Sequence, residues 1–194
     1  MNIERPKSRQ PIPDHAKKVF AGAIFDVYQW EQEQFDGSLA TFEKLKRDDS
    51  AVIIPTTKDR KLIIVEDEQP GRDAVLTFPG GRIEKGEAAD EAAIRELEEE
   101  TGFKPAHVEL WKSRQPVSKV DWALYYFIGR GCEKVAEPKP DAGERITTRE
   151  ITFDEFMDLV EKPNFQGEDL RNDIVRCRFD KEFRAELEKK LFGE

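Results

Sequence analysis

The segment that most constrains this chain runs from Gly81 to Phe103, GRIEKGEAADEAAIRELEEETGF. Its middle is helix-forming: Ala88, Ala89, Ala92, Ala93 and Leu97 lose little freedom in a helix, and Gly102 is the usual residue for a left-handed C-terminal stop. Its end is electrostatically wrong for a helix. Glu96, Glu98, Glu99 and Glu100 put four carboxylates into five residues, where the last-turn carbonyls already carry partial negative charge. At about 100° per residue, Glu96 and Glu100 stack on one face with Glu99 beside them, and like charges at that spacing repel. They point the same way as Ala89 and Ala93, on the border of the apolar stripe carrying Leu97, so they face the edge of a core. A divalent cation between them reverses the sign of the problem, and oxygen ligands without Cys or His suit Mg²⁺ or Mn²⁺ rather than zinc. Without a cation, the same pattern is a solvated acidic helix end.

At 194 residues the chain is long enough for one sizeable core, with 38% hydrophobic and 38% charged residues. A formal net charge of −9 disfavours nucleic acid as a partner, because no long basic patch is available for phosphate contacts. A small phosphate substrate is compatible with it if a metal carries the neutralising charge. The opening MNIERPKSRQPIPDHAKK lacks the apolar run of a signal peptide, and no later stretch has the length and apolarity of a membrane span. Cys132 and Cys177 have no metal-ligand spacing and are read as reduced thiols. The expected address is the cytoplasm.

Along the chain, the first eighteen residues, with Pro6, Pro11 and Pro13, predict an extended arm. From Val19 to Leu45 the pattern is strand-like, with Asp36-Gly37 as the hairpin turn. Ala51–Pro55 and Leu62–Val65 are short apolar runs suited to buried strands, and Leu76–Phe78 leads into Pro79-Gly80-Gly81. Val108–Trp111, Trp122–Gly129 and Ile146–Ile151 predict further strands, with a mobile loop over Ala136–Gly143. Helices are predicted over Phe153–Val160, entered by Thr152, and over Lys181–Leu191, packed on the sheet through Phe183, Leu187 and Leu191. Strands around one central helix, with further helices late in the chain, imply an α+β sandwich. Trp30, Trp111 and Trp122 are read as core or hairpin-surface rings, with stacking on a nucleobase as the functional alternative.

The string from Gly81 to Phe103 resembles the Nudix box, G-x5-E-x7-R-E-U-x-E-E-x-G-U with U a bulky apolar residue. Gly81, Glu87, Arg95, Glu96, Leu97, Glu99, Glu100, Gly102 and Phe103 all match it. The resemblance implies an α/β/α sandwich with a mixed central sheet, and hydrolysis of a pyrophosphate linkage in a nucleoside diphosphate joined to a further group. It also implies Mg²⁺, with Mn²⁺ as the alternative, held by Glu96, Glu100 and Glu99, with the Gly80 carbonyl as a further ligand. Arg95 would hold a box glutamate in its rotamer, and Glu87 would tie the loop to the helix. Glu99 and Arg95 thus belong to the catalytic group together with Glu144, the candidate general base from the Asp141-Ala142-Gly143-Glu144 segment, with Asp141 in reserve.

Outside the box the chain resembles the ADP-ribose pyrophosphatase branch. Residues 1–45 are expected to form a strand arm serving dimerisation and substrate, and residues 46–194 the hydrolase domain. Arg47 and Asp121 are the expected substrate-binding residues, Asp121 lying shortly beyond Pro116. Three positions depart from the branch pattern: Val117 stands for a glycine, Glu66-Asp67-Glu68-Gln69 lacks an arginine, and Pro79-Gly80-Gly81 replaces Pro-Ala-Gly. A homodimer is expected. The alternatives are a nucleoside triphosphate pyrophosphatase and, in another class, a Nudix domain that senses a nucleotide without cleaving it.

Overall fold

Strands buried on both faces organise the molecule. The structure, a computed structural model, describes residues 3–193, so Met1, Asn2 and Glu194 of the expected arm and domain lie outside the described residues. Strands β4 (Ser50–Thr57), β5 (Leu62–Gln69) and β11 (Leu124–Lys134) carry the apolar runs at the centre. Ile53, Ile63 and Phe127 face one side and Ile54, Leu62, Ile64 and Ile128 the other. Such two-sided burial turns the usual alternation of a strand into a continuous apolar run. β11 lies parallel to β4, and β12 (Arg145–Ile151) lies antiparallel to β5. β6 (Arg72–Thr77) pairs with β5, β7 (Gly80–Arg82) with β4, and β8 (Phe103–Lys104) and β9 (His107–Arg114) with β11.

One face is covered by helix α1 (Ala89–Thr101), whose Ala92, Ala93 and Leu97 are fully buried. The other is covered by α2 (Phe153–Asp158), a following 3-10 turn at Leu159–Glu161, α3 (Glu168–Phe179) and α4 (Lys181–Phe192). The α+β sandwich with a mixed sheet is therefore the architecture expected. Thr152 enters α2 as anticipated: its hydroxyl accepts from the Glu155 amide at 3.2 Å while the Glu155 carboxylate accepts from the Thr152 amide at 2.7 Å. Leu187 and Leu191 of α4 are buried, with Phe183 partly so.

Helix α3 lies where no helix was predicted. Six of its twelve residues are charged, and Gly167 at its entry offers no side-chain cap. Leu170, Ile174 and Cys177 form the narrow stripe that reaches the core. The contact energy of that stripe, rather than local propensity, makes the helix. Both cysteines are buried and free. Among the described residues no helix is long and apolar enough to cross a membrane.

A second sheet is built by β1 (Lys17–Ala21), β2 (Asp26–Glu33), β3 (Leu39–Lys46) and the short β10 (Val120–Asp121), which lies parallel to β3. Gly37, at φ 81°, turns the β2–β3 hairpin at the predicted Asp-Gly pair. The expected extended arm has a definite seat. Arg5 bonds the Asp49 carboxylate at 2.7 and 2.9 Å, Gln115 donates to the Pro6 carbonyl at 3.0 Å, and Lys44 donates to Ser8 Oγ at 2.8 Å and the Gln10 carbonyl at 2.6 Å. Lys44 is 1% exposed. Burial lowers its pKa, and the arm supplies the acceptors that let a buried ammonium persist.

Candidate active site

The box helix starts and stops as its residues dictate. Glu91 accepts from the Ala88 amide at 3.1 Å at the start, and Gly102, at φ 73°, ends the helix by donating to the Glu98 carbonyl at 2.8 Å. Between these limits Glu96, Glu99 and Glu100 fall on the side facing the Pro79–Gly81 turn. They line a cavity of about 330 Å³ with Gly80, Gly81 and Glu144. Arg95 and Asp141 line the same cavity. Six of the eight expected site residues are therefore gathered in one place.

Gly80 is required there by the backbone it meets, and Gly81 leaves the Glu96 carboxylate its place. A Cβ on Gly81 would stand 2.5 Å from Glu96 Oε1, and one on Gly80 would stand 2.4 Å from the Ala51 carbonyl. The glycines let the strand press against the helix closely enough for the Gly80 amide to donate to Glu100 Oε1 at 3.3 Å. Glu100 is 6% exposed. Burial pushes its carboxyl up to about 9, only partly opposed by the Gly80 amide, and the charges of Glu96, Glu144 and Asp67 push the same way. Burial likewise raises Glu96, with Arg95 opposing it. Glu144 is raised first by burial, then by Asp67 and Asp141.

Arg95 spans the helix base. It donates to Glu87 at 2.8 and 3.1 Å, to Glu96 at 2.8 Å, to Glu99 at 3.0 Å and to the Arg82 carbonyl at 3.0 Å. Glu87 in turn accepts from the Glu84 amide at 2.9 Å, so the pair ties the loop after β7 to α1. The Arg95 pairing holds the Glu87 carboxyl below its ordinary value. Among the described residues, no three Asp, Glu, His or Cys side chains already close around one point as a metal cage; Arg95 engages Glu96 and Glu99 instead.

The segment after β11, predicted as a mobile loop, is hung on the helix end. The Val135 and Ala136 amides donate to the Gly102 carbonyl at 2.8 and 3.1 Å, and the Lys139 amide to the Glu99 carbonyl at 2.6 Å. These bonds use carbonyls that the end of any helix leaves without partners. They carry the chain toward Glu144, whose amide closes a turn on the Asp141 carbonyl at 2.9 Å. Sequence reasoning missed Asp67 on β5, whose charge acts on both Glu100 and Glu144. The strand pairing that places it has no sequence signature.

Arg47 and Asp121 do not line this cavity. The Arg47 guanidinium lies 4.8 Å from the Trp122 ring centre and 5.7 Å from that of Phe25. Its Nε is buried without a hydrogen-bond partner among the described residues, and its amide donates to the Asp121 carbonyl at 3.3 Å. The Asp121 carboxylate accepts from Arg5 at 3.1 Å. The two expected substrate residues are thus brought together with each other, beside the seated arm. Trp122 is half-buried there, Trp30 is buried, and Trp111 packs on the core as a partly buried ring.

Comparison with known proteins agrees with this geometry. The NUDIX domain profile matches residues 46–171. The chain is 26% identical over 148 residues to an ADP-ribose pyrophosphatase of Bacillus subtilis, covering 75% of this chain and 80% of that protein. It is 27% identical over 165 residues to the ADP compounds hydrolase NudE of Escherichia coli, covering 81% and 86%. A crystal structure of an ADP compounds hydrolase superposes with a TM-score of 0.70 over 94% of this chain and 98% of that one, at 22% identity. With its profile match, its sandwich fold and a complete box on α1, the chain belongs to the NUDIX family of hydrolases.

Proposed function

We propose that this enzyme is a Mg²⁺-dependent pyrophosphatase that splits the pyrophosphate bond of ADP-ribose or a related nucleoside diphosphate derivative. The carrying observation is the convergence of Glu96, Glu99, Glu100 and Glu144 on one cavity, with Glu100 buried and its carboxyl bonded by the Gly80 amide. A hard cation fits that donor set: the ligands are all oxygen, and an under-bonded buried carboxylate gains a counter-charge. Glu96, Glu99 and Glu100, with the Gly80 carbonyl, are the residues that would hold it. When bound, the metal neutralises the diphosphate and lowers the pKa of an attacking water.

The protein's own groups do the rest. Arg95 fixes the rotamers of Glu96 and Glu99 by bonding both, so a ligand set is poised before substrate arrives. Glu144, raised above an ordinary glutamate by its burial, is the stronger base for it and takes the water's proton. Asp141 closes the turn that positions it. The relatives named for ADP-ribose and ADP compounds support the substrate class. The intact carboxylate set favours turnover over mere sensing. Arg47, Trp122 and Asp121 are assigned to the substrate, outside the metal pocket.

We assign residues 1–45 to the arm and hairpin and residues 46–194 to the hydrolase domain. The enzyme is further proposed to be a homodimer. Val19, Phe20, Ile24 and Leu39 on and between the first three strands are 51%, 59%, 64% and 66% exposed, apolar side chains that a second copy would cover. Buried free thiols suit the cytoplasm. The test of activity is product release with Mg²⁺ across ADP-ribose, nucleotide sugars, dinucleotides and nucleoside triphosphates, with Glu100→Gln as control. AMP and ribose 5-phosphate from ADP-ribose in preference support the reading. Preference for a triphosphate would replace the substrate and keep the metal site, and bound but uncleaved nucleotide would make the domain a sensor. Light scattering of the native chain and of Phe20→Glu tests the dimer; a monomeric native chain would sink it.

A further inference from the structure

A second cleft adjoins the carboxylate pocket and shares Glu144 with it. It lies between the β5–β6 turn and residues 142–145, measures about 550 Å³, and is lined by Glu68, Gln69, Arg72, Asp73, Glu144 and Arg145 among others. Glu144 lines both cavities, so the two are neighbours that share one wall residue. Resting on the pyrophosphatase reading, we propose that this cleft receives the phosphorylated sugar half of the substrate, with Arg72 gripping its phosphate.

Three observations carry the assignment. The wall contains no aromatic ring, so it offers nothing for a nucleobase to stack on. Its carboxylates and the Gln69 amide are instead the donors and acceptors that sugar hydroxyls need. Position is the second observation. Arg72 opens β6 directly across from Gln69 of β5, where its guanidinium is bonded to Asp67 Oδ2 through Nη2. Gln69 bonds the same carboxylate oxygen at 3.1 Å and reaches Glu144 at 3.4 Å. The Arg72 head is thereby braced by a side chain only 13% exposed, while the arginine itself is 40% exposed.

The third observation is charge. The neighbouring pocket is lined by the carboxyl groups of Glu96, Glu99, Glu100 and Glu144, and its Arg95 is already engaged by glutamates. An anion crossing from the metal pocket into the cleft meets Arg72 as the braced cation next to Glu144. Arg145, paired with Glu68 at 2.7 Å, is 79% exposed and less held. A guanidinium fork with free donors matches phosphate oxygens; among the described residues, the one hydrogen bond of the Arg72 side chain is to Asp67.

The test is calorimetric titration of ribose 5-phosphate, inorganic phosphate and AMP, each with Mg²⁺, into the native chain, Arg72→Gln and Arg72→Lys. Circular dichroism verifies that the variants fold. The expectation is that Arg72→Gln weakens ribose 5-phosphate by at least about tenfold, the scale of a charged hydrogen bond, with Arg72→Lys between and AMP unchanged. Equal weakening of both products would make Arg72 a general phosphate contact and overturn the subsite. Unchanged ribose 5-phosphate binding in Arg72→Gln, or none to the native chain, would overturn it too. Inorganic phosphate bound as tightly as the sugar phosphate would remove the sugar from the assignment. ADP-ribose turnover, assayed in parallel, decides the pyrophosphatase reading separately.

Discussion

The carboxylate pocket and the corner formed by Arg47, Asp121 and Trp122 are built from opposite materials. Apart from Pro140, Asp141 and Glu144, the pocket comes from one turn and the helix that follows it, Gly80 to Glu100, and helix geometry alone puts the glutamates of that helix on one side. The corner draws on Arg5, Phe25, Lys44, Arg47, Asp49, Asp121 and Trp122, joined by the parallel pairing of β10 with β3. The pocket gathers carboxylates at the edge of the core, whereas in the corner Arg5 pairs with Asp49 and Asp121 while Arg47 rests on the Trp122 and Phe25 rings. A local arrangement can tolerate electrostatic conflict because a packed helix holds it in place. A dispersed one rests on contacts between segments far apart in the chain.

The largest expected effect separates the two regions. Glu100→Gln should lower ADP-ribose turnover at saturating Mg²⁺ by at least about a hundredfold, the scale of losing one preorganised charged contact, with little change in volume. Normal turnover would remove Glu100 from the chemistry. Arg95→Ala should follow, raising the Mg²⁺ concentration for half-activity by about 10- to 100-fold, as outer-shell partners of metal ligands do. A Mg²⁺ dependence matching the native enzyme would make Arg95 a plain surface bridge.

The corner should respond differently. Asp121→Asn should raise KM a few-fold, about 1 kcal/mol for a polar contact, and leave the Mg²⁺ dependence alone. A shifted Mg²⁺ dependence with unchanged KM would erase the distinction between the regions.

Stability distinguishes them as well. Because burial lifts the Glu100 carboxyl from the ordinary glutamate range to about 9, the metal-free folded state binds a proton that the unfolded chain has released. Its stability should therefore fall as pH rises through that window. Thermal unfolding in chelator should show this fall in the native chain and a flatter profile in Glu100→Gln; identical slopes would discard the linkage. The smallest effect belongs to Arg5→Ala, which breaks exposed ion pairs worth about 1 kcal/mol and should lower Tm by about 2–4 °C. A loss above 10 °C would mean that the arm is integral to the core.

Much of this molecule is legible in the sequence itself. Glu96, Glu99 and Glu100 could be placed by counting along a helix, and Asp36-Gly37 announced its hairpin, because such rules act between residues close in sequence. The central strands were readable because β4, β5 and β11 are apolar on both faces. Helix α3 escaped because its charge hides a three-residue stripe that only the finished core rewards.

What the tertiary structure alone decided is pairing at a distance. Asp67 stands beside the box glutamates because β5 lies in the same sheet as β4, and Arg72 faces the cleft because it falls opposite Gln69 across a tight turn. Lys44 is buried because the arm returns to give its ammonium Ser8 and Gln10. A helix repeats its own geometry at every residue, so the chain by itself determined the carboxylate face. Register, docking and burial arise from contacts between segments far apart in the chain, and no local pattern records them.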